Sequence, residues 1–416
     1  MKLKYFFIFF LTFQWISYAS LEDTEFSGFL ESAAGKPVAS KEYQQEDFNL
    51  GEIRLQLQAD TLLTDTSESR FKIHFYRDEV LEEWKLYLRE GYISYYPSYF
   101  YEIKAGRQVL TWGTGDLIFI NDRFPKDYES FYSGRDMEYL KVPSDAVKIS
   151  FFPQKYIVDL VIIPLFTPNK VVNGERLTFF DQSSGDFVYT GEDYFNADEP
   201  STSLDNTQLA VRIKKNIEGN EIALYGYRGF YLDPNPSEDG EYYYSKTNVF
   251  GASWIGSALD GIANSEIGYE DSRDDRDGDD PYITNSYLKF LVGYKREMGR
   301  DFTVGVQYYL EHMLDYDNYR ESLPESFSQY ARHKNRSMFA LRLSKLMMQQ
   351  KLKYELFTFY SPTDEDGYIN PDISYKWSDG LSTSLGMNIF YGKYYYTDFA
   401  QLKDNTNVYF RIRYSF

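Results

Sequence analysis

The chain has 416 residues, no cysteine, 63 acidic against 44 basic side chains and a formal net charge of −19. A polyanionic partner is held by basic contacts, so this balance argues against nucleic acid. The missing cysteines rule out a disulfide-stapled scaffold. Tyr and Phe, at 41 and 33 copies, supply many amphipathic and apolar rings of the kind that gather at a membrane–water boundary.

The chain opens MKLKYFFIFFLTFQWISYAS. Lys2 and Lys4, the apolar run 5–13, and the small Ser17 and Ala19 form a secretory signal peptide, residues 1–19. The run is too short for a bilayer-spanning helix, which needs about 20 apolar residues. No repeat or linker divides residues 20–416, which read as one domain.

Alternating apolar and polar residues then predict strand after strand. They fall at 24–33, 50–61, 70–78, 90–96, 101–113, 146–152, 156–166, 206–216, 220–231, 246–258, 261–271, 284–298, 301–313, 337–347, 351–360, 368–377 and 381–392, and a last one begins near Asn405. Residues 79–88 read as a helical turn or a strand extension. Short turns alternate with long polar loops, among them 114–143 and 167–204. About 18 strands with every long connection on one edge predict an all-β protein. The architecture is a transmembrane antiparallel up-and-down β-barrel with short periplasmic turns and long extracellular loops. Closure satisfies every backbone donor and acceptor without water. The implied setting is the outer membrane of a Gram-negative bacterium, with its lipid bilayer as partner. In the last strand Val408, Phe410, Ile412, Tyr414 and Phe416 face lipid while Arg411 and Arg413 face a wet lumen. Its aromatic end, Phe416, suits recognition by barrel-insertion machinery.

The cations opposite the oily faces are Arg54, Lys72, Lys104, Lys148, Arg212, Lys214, Lys289, Lys295, Arg342, Lys351, Lys353, Arg411 and Arg413. Fewer acids share those faces: Glu52, Asp60, Asp78, Glu102 and Glu355 are the clear ones. The remaining acid gathers in long loops. A basic lumen in an acidic protein predicts a preference for small anionic solutes. The alternative is that the cations pair with neighbouring or loop carboxylates and leave no field.

Alternation fails at Arg107, which falls in line with Ile103 and Ala105 on the lipid face. A charge there at mid-membrane costs about 2–4 kcal/mol. A bulge at Gly106 that turns Arg107 inward is therefore expected, with Trp112 near the outer interface. The following loop mixes charges with aromatic anchors and suits a constriction folded into the lumen; the alternative is an external loop with local ion pairs. Its candidate residues, with Arg107, are Asp122, Arg123, Arg135 and Asp136.

Gly106-Arg107-Gln108, Trp112-Gly113, Asp122 and Phe124-Pro125-x-Asp127, followed by Ile163-Pro164-Leu165-Phe166 and Pro168, resemble the signature of porin-like outer-membrane proteins related to the alginate-export family. The resemblance spans roughly residues 50–170. It implies an 18-strand barrel with a basic, constricted pore for an anionic polysaccharide or other solute. The acidic loops depart from that pattern, so alginate itself does not carry over.

No cofactor motif, metal-ligand set or catalytic residue set stands out. The acidic stretch 271–281 misses a calcium loop at both ends, with Arg273 and Thr284 where ligands belong. Two other functions compete with a channel: a surface-binding or adhesion barrel with a blocked lumen, and an outer-membrane hydrolase built on His312 and His333 beside Ser322, Ser326 and Ser328.

Overall fold

The computed structural model describes residues 23–38 and 48–416. The predicted signal peptide, 1–19, lies outside them. In chain order the strands are β1 (Thr24–Pro37), β2 (Leu50–Thr64), β3 (Ser67–Asp78), β4 (Glu83–Ser98), β5 (Tyr101–Val109), β6 (Pro143–Phe151), β7 (Ile157–Ile163), β8 (Phe179–Asp181), β9 (Asp186–Val188), β10 (Gln208–Ile217), β11 (Asn220–Phe230), β12 (Asn235–Pro236), β13 (Tyr242–Tyr243), β14 (Lys246–Ala258), β15 (Gly261–Ser272), β16 (Tyr287–Gly299), β17 (Phe302–Met313), β18 (Asn335–Met347), β19 (Leu352–Ser361), β20 (Asp366–Lys376), β21 (Leu381–Gly392) and β22 (Asn407–Ser415).

Eighteen of these make one antiparallel sheet, while β8–β9 and β12–β13 are small hairpins inside loops. Each barrel strand pairs with its neighbours in the chain, and β1 pairs with both β2 and β22, which closes the cylinder. Beyond β22, Gly28 and Phe416 exchange backbone hydrogen bonds of 2.9 and 3.0 Å. A closed sheet has no open edge, as a lipid environment requires.

The alternation that predicts the strands sets the two faces. Leu30, Ile53, Phe75, Leu86, Phe410 and Ile412 point outward, where a bilayer covers them. Glu31, Glu52, Arg54, Gln56, His74 and Asp78 are buried inside. Rings collect at both rims. Tyr99, Phe100, Trp377, Tyr414 and Phe416 are exposed near the short turns; Trp84, Phe250, Tyr360 and Tyr391 are exposed near the long loops. Two such bands on the wall are the girdles of a transmembrane barrel.

Residues 79–88 prove to be a four-residue turn, 79–82, and the start of β4. Trp84 and Leu86 there are large apolar side chains on the lipid face, and Asp78 closes the turn by accepting from the Val80 and Leu81 amides at 3.1 and 3.2 Å. The loop-side edge therefore holds two short connections, 79–82 and 362–365, among its long ones.

Candidate pore and the loop that crosses it

The connection from β5 to β6, residues 110–142, lies inside the barrel. It leaves β5, crosses to the far wall and returns along β20–β22, β1 and β2–β3. Its first anchor is Glu266 on β15. That carboxylate accepts from the Thr114 amide, from the Thr114 hydroxyl at 3.1 Å, from the Gly115 amide at 2.8 Å and from the Asn121 side chain at 2.7 Å. Asp116 reaches Arg342 on β18 at 2.7 Å. Arg123 meets Glu270 on β15 at 2.6 Å.

The loop then coils into a short helix, α1 (Tyr128–Ser133). Asp127 caps its start by accepting from the Ser130 amide at 2.7 Å, and Gly134 ends it with φ +97°. Only a glycine fits there: a Cβ would sit 2.4 Å from the Tyr409 ring on β22. Asn388 and Asn407 donate to the Tyr132 carbonyl at 2.9 and 3.1 Å. Arg135 pairs with Glu52 and, at 3.2 Å, with Asp78. Glu138 reaches Arg413 at 2.8 Å, and the same guanidinium holds Glu31 at 2.7 Å.

A second loop, residues 164–207, stacks on the first. Asn169 accepts from the Lys126 amide at 2.7 Å. The fully buried Arg176 pairs with Asp78 and lies 3.6 Å from Glu129.

Among the described residues, two chambers stand out in the lumen. The inner one, about 310 Å³, opens toward the short turns and is lined by Arg135, Arg342, Lys353, Lys376, Arg411 and Arg413 against Glu31, Asp136, Glu355 and Asp372. The outer one, about 500 Å³, is lined by rings of the loop and the wall, with Asp233, Arg332, Arg336 and Asp398 as its charges. Phe131 lines both. Its ring lies 5.5 Å from Tyr368 and 5.1 Å from Tyr132, and Tyr368 packs on Phe390 and Phe399 in turn. These rings form a septum between the chambers.

Of the five constriction candidates, Arg135 and Asp136 line a chamber and three do not. Arg107 is buried at the root of the loop, 2.8 Å from Asp145 and beside Tyr87. It turns inward as expected, but by a local twist at Gly106 (φ +127°) with pairing unbroken on both sides, not by a bulge. Asp122 is sealed against Lys126 at 3.1 Å, and Arg123 is spent on Glu270. Trp112 is not at an interface: β5 ends at Val109, and the indole packs in the lumen on Phe124 and Tyr225.

The thirteen lumen cations split similarly. Arg342, Lys353, Arg411 and Arg413 line the inner chamber. Arg54 pairs with Glu52 at 2.6 Å, Lys72 with Glu90 at 3.7 Å, Lys214 with Glu221 at 2.9 Å and Lys289 with Glu270 at 2.8 Å. Asp159 takes Arg212 at 2.5 Å and Lys148 at 3.7 Å. Lys104 lies 4.1 Å from the centre of the Tyr92 ring. Lys295 sits by the short-turn rim and Lys351 in a turn, outside the strand that sequence assigned it. Carboxylates thus interleave with most of these cations, and a uniformly basic lumen is not what the wall presents. His312 bonds Asn335 at 2.6 Å rather than a serine or a carboxylate.

Sequence reasoning missed Glu266, Glu270, Asp159, Asp372 and the septum rings. The signal was present: Glu266 and Glu270 share a phase on β15, and Phe357 and Phe359 continue the phase of Lys353 and Glu355 on β19. Aromatic residues at lumen-phase positions mean that something apolar packs within.

Solved structures with this architecture were found. OccAB3 of Acinetobacter baumannii aligns with a TM-score of 0.58 at 9% identity over 95% of this chain and 100% of its own. OccK11 of Pseudomonas aeruginosa aligns with a TM-score of 0.56 at 10% identity over 95% and 97%. The fold is that of the 18-strand outer-membrane porins. No family model and no curated sequence matches the chain, and the resemblance to the alginate-export family gains nothing from these alignments.

Proposed function

We propose that this chain is a passive outer-membrane channel for small solutes with a preference for anions. The reading includes export through residues 1–19, a single barrel domain over 20–416, and insertion through the strand that ends at Phe416. The observation that carries it is the inner chamber, where six cations face four carboxylates beneath an anchored cross-lumen loop. An excess of one sign around a narrow aqueous space favours solutes of the other. Small solutes fit these chambers better than a polysaccharide chain, which would have to thread past the Phe131 septum.

Single-channel recording in a planar bilayer under a salt gradient tests the proposal. A reversal potential toward the anion side supports it, and cation selectivity overturns it. The second reading, an adhesion barrel with a blocked lumen, draws on the aromatic septum. Absence of any conductance decides for it.

A further inference from the structure

The outer chamber differs from the inner one, where Arg342, Lys353, Arg411 and Arg413 each sit against carboxylates. Here two opposite charges outside any direct ion pair share one space, Arg332 holding a hydrogen bond to the Tyr287 side chain with Asp398 nearby. Asp233, on the loop between β11 and β14, accepts one hydrogen bond from Asn169 at 2.7 Å. Arg332 reaches the chamber from the loop between β17 and β18. Among the described residues neither has an ion-pair partner within 4.0 Å, and both side chains are exposed to the chamber. Beside the paired Arg336 and Asp398, 2.7 Å apart, the rest of the lining is largely apolar: Phe131, Tyr132, Phe195, Phe359, Phe399 and Leu402.

A ligand complementary to this chamber carries a cation, an anion and an oily body. We infer that the outer chamber binds zwitterionic solutes with an apolar side chain, such as aromatic amino acids, with the ammonium at Asp233 and the carboxylate at Arg332. The aromatic walls take the side chain through ring stacking and edge contacts. A guanidinium offers a carboxylate two parallel hydrogen bonds, and an ammonium gives Asp233 a charge-assisted one. The chamber's 500 Å³ accepts one such molecule with water. This rests on the channel reading only for its purpose: occupancy would concentrate the solute above the septum.

Titration calorimetry on the detergent-folded full chain tests it with L-phenylalanine and with 3-phenylpropanoate, which lacks the ammonium. The wild type is expected to bind L-phenylalanine about tenfold more tightly, the worth of one charge-assisted hydrogen bond. Asp233→Asn is expected to erase that advantage and leave 3-phenylpropanoate unchanged, which also shows the variant is folded. Arg332→Gln is expected to weaken both ligands about tenfold. Equal wild-type affinity for the two ligands, or phenylalanine binding untouched by Asp233→Asn, overturns the inference. Binding needs no open pore. A protein that binds as described but does not conduct upholds the site and sinks the channel; one that conducts without binding does the reverse.

Discussion

The two chambers sit on either side of one ring of aromatic side chains, yet they are built in opposite ways. Below Phe131 the walls are a mesh of guanidinium and carboxylate groups: Arg411 between Asp136 and Asp372, Arg413 between Glu31 and Glu138, Arg342 between Asp116 and Glu355. Above it the walls are oily and the charges few. A mesh of paired ions needs water to remain favourable, since desolvating an ion pair costs more than its attraction returns unless its geometry is very good. Rings need no such solvent. The inner space sorts by net charge and the outer one by shape and apolar fit.

The largest way to break that contrast is Glu266→Ala. It leaves several loop donors unsatisfied and frees the loop's first anchor. We expect a loss of about 3 kcal/mol or more, read as a lower unfolding temperature of the folded band on a gel, with noisy, enlarged conductance. Gly134→Ala comes next. Its Cβ would strike Tyr409 and its φ suits glycine alone, so about 1–3 kcal/mol is expected, with α1 displaced from β22. Phe131→Ala sharpens the comparison rather than destroying it. The septum thins, the chambers merge, and conductance should rise about twofold by the scale of one missing ring, with unfolding shifted by about 3 kcal/mol, the low end for a Phe→Ala change because the ring borders open space on both sides. Lys353→Gln should be the mildest of the substitutions, moving the reversal potential a few millivolts, about the effect of one partly screened charge, toward zero.

Acid offers a finer probe. Burial raises the Asp136 carboxyl, but Arg411 and Arg413 outweigh it and hold it below the ordinary aspartate range. A carboxylate depressed in the folded state contributes stability that is complete above its unfolded value of about 3.9 and disappears as pH falls through the lower folded one. The loop's hold through Asp136 is therefore expected to persist from neutral pH to about 4 and to weaken only below it, read as the unfolding temperature against pH. A change centred near pH 6 would show that another group fastens the loop.

The wall was legible because its physics is local. Period-two alternation places Phe410, Ile412 and Tyr414 on one face and Arg411 and Arg413 on the other with no knowledge of neighbours. The short turns 218–219 and 259–260 fall where the alternating runs break off. The lumen was only partly legible because its partners are remote. Nothing near Glu266 in the chain announces Thr114, and nothing near Arg123 announces Glu270; these contacts bridge some 150 residues. Mixed charge and aromatic anchors in residues 114–143 fitted both a loop folded inward and an external loop with local ion pairs, and only the remote contacts decide between them. The sequence could not say that Arg107 would pair with Asp145 on the adjacent strand, Asp122 with Lys126 inside the loop, and Arg123 with Glu270 on the wall. Nor could it say that acids such as Asp159 and Asp372 ride the same faces as the cations and pair with them.

Arg413 has one more consequence. It belongs to the last strand, it grips Glu31 of the first, and it reaches Glu138 of the inserted loop. One side chain therefore rivets the seam of the cylinder and its stopper together. During biogenesis the final zipping of first strand to last and the docking of the loop are therefore thermodynamically coupled, and a nascent barrel with that loop left outside lacks part of the adhesive that would shut it.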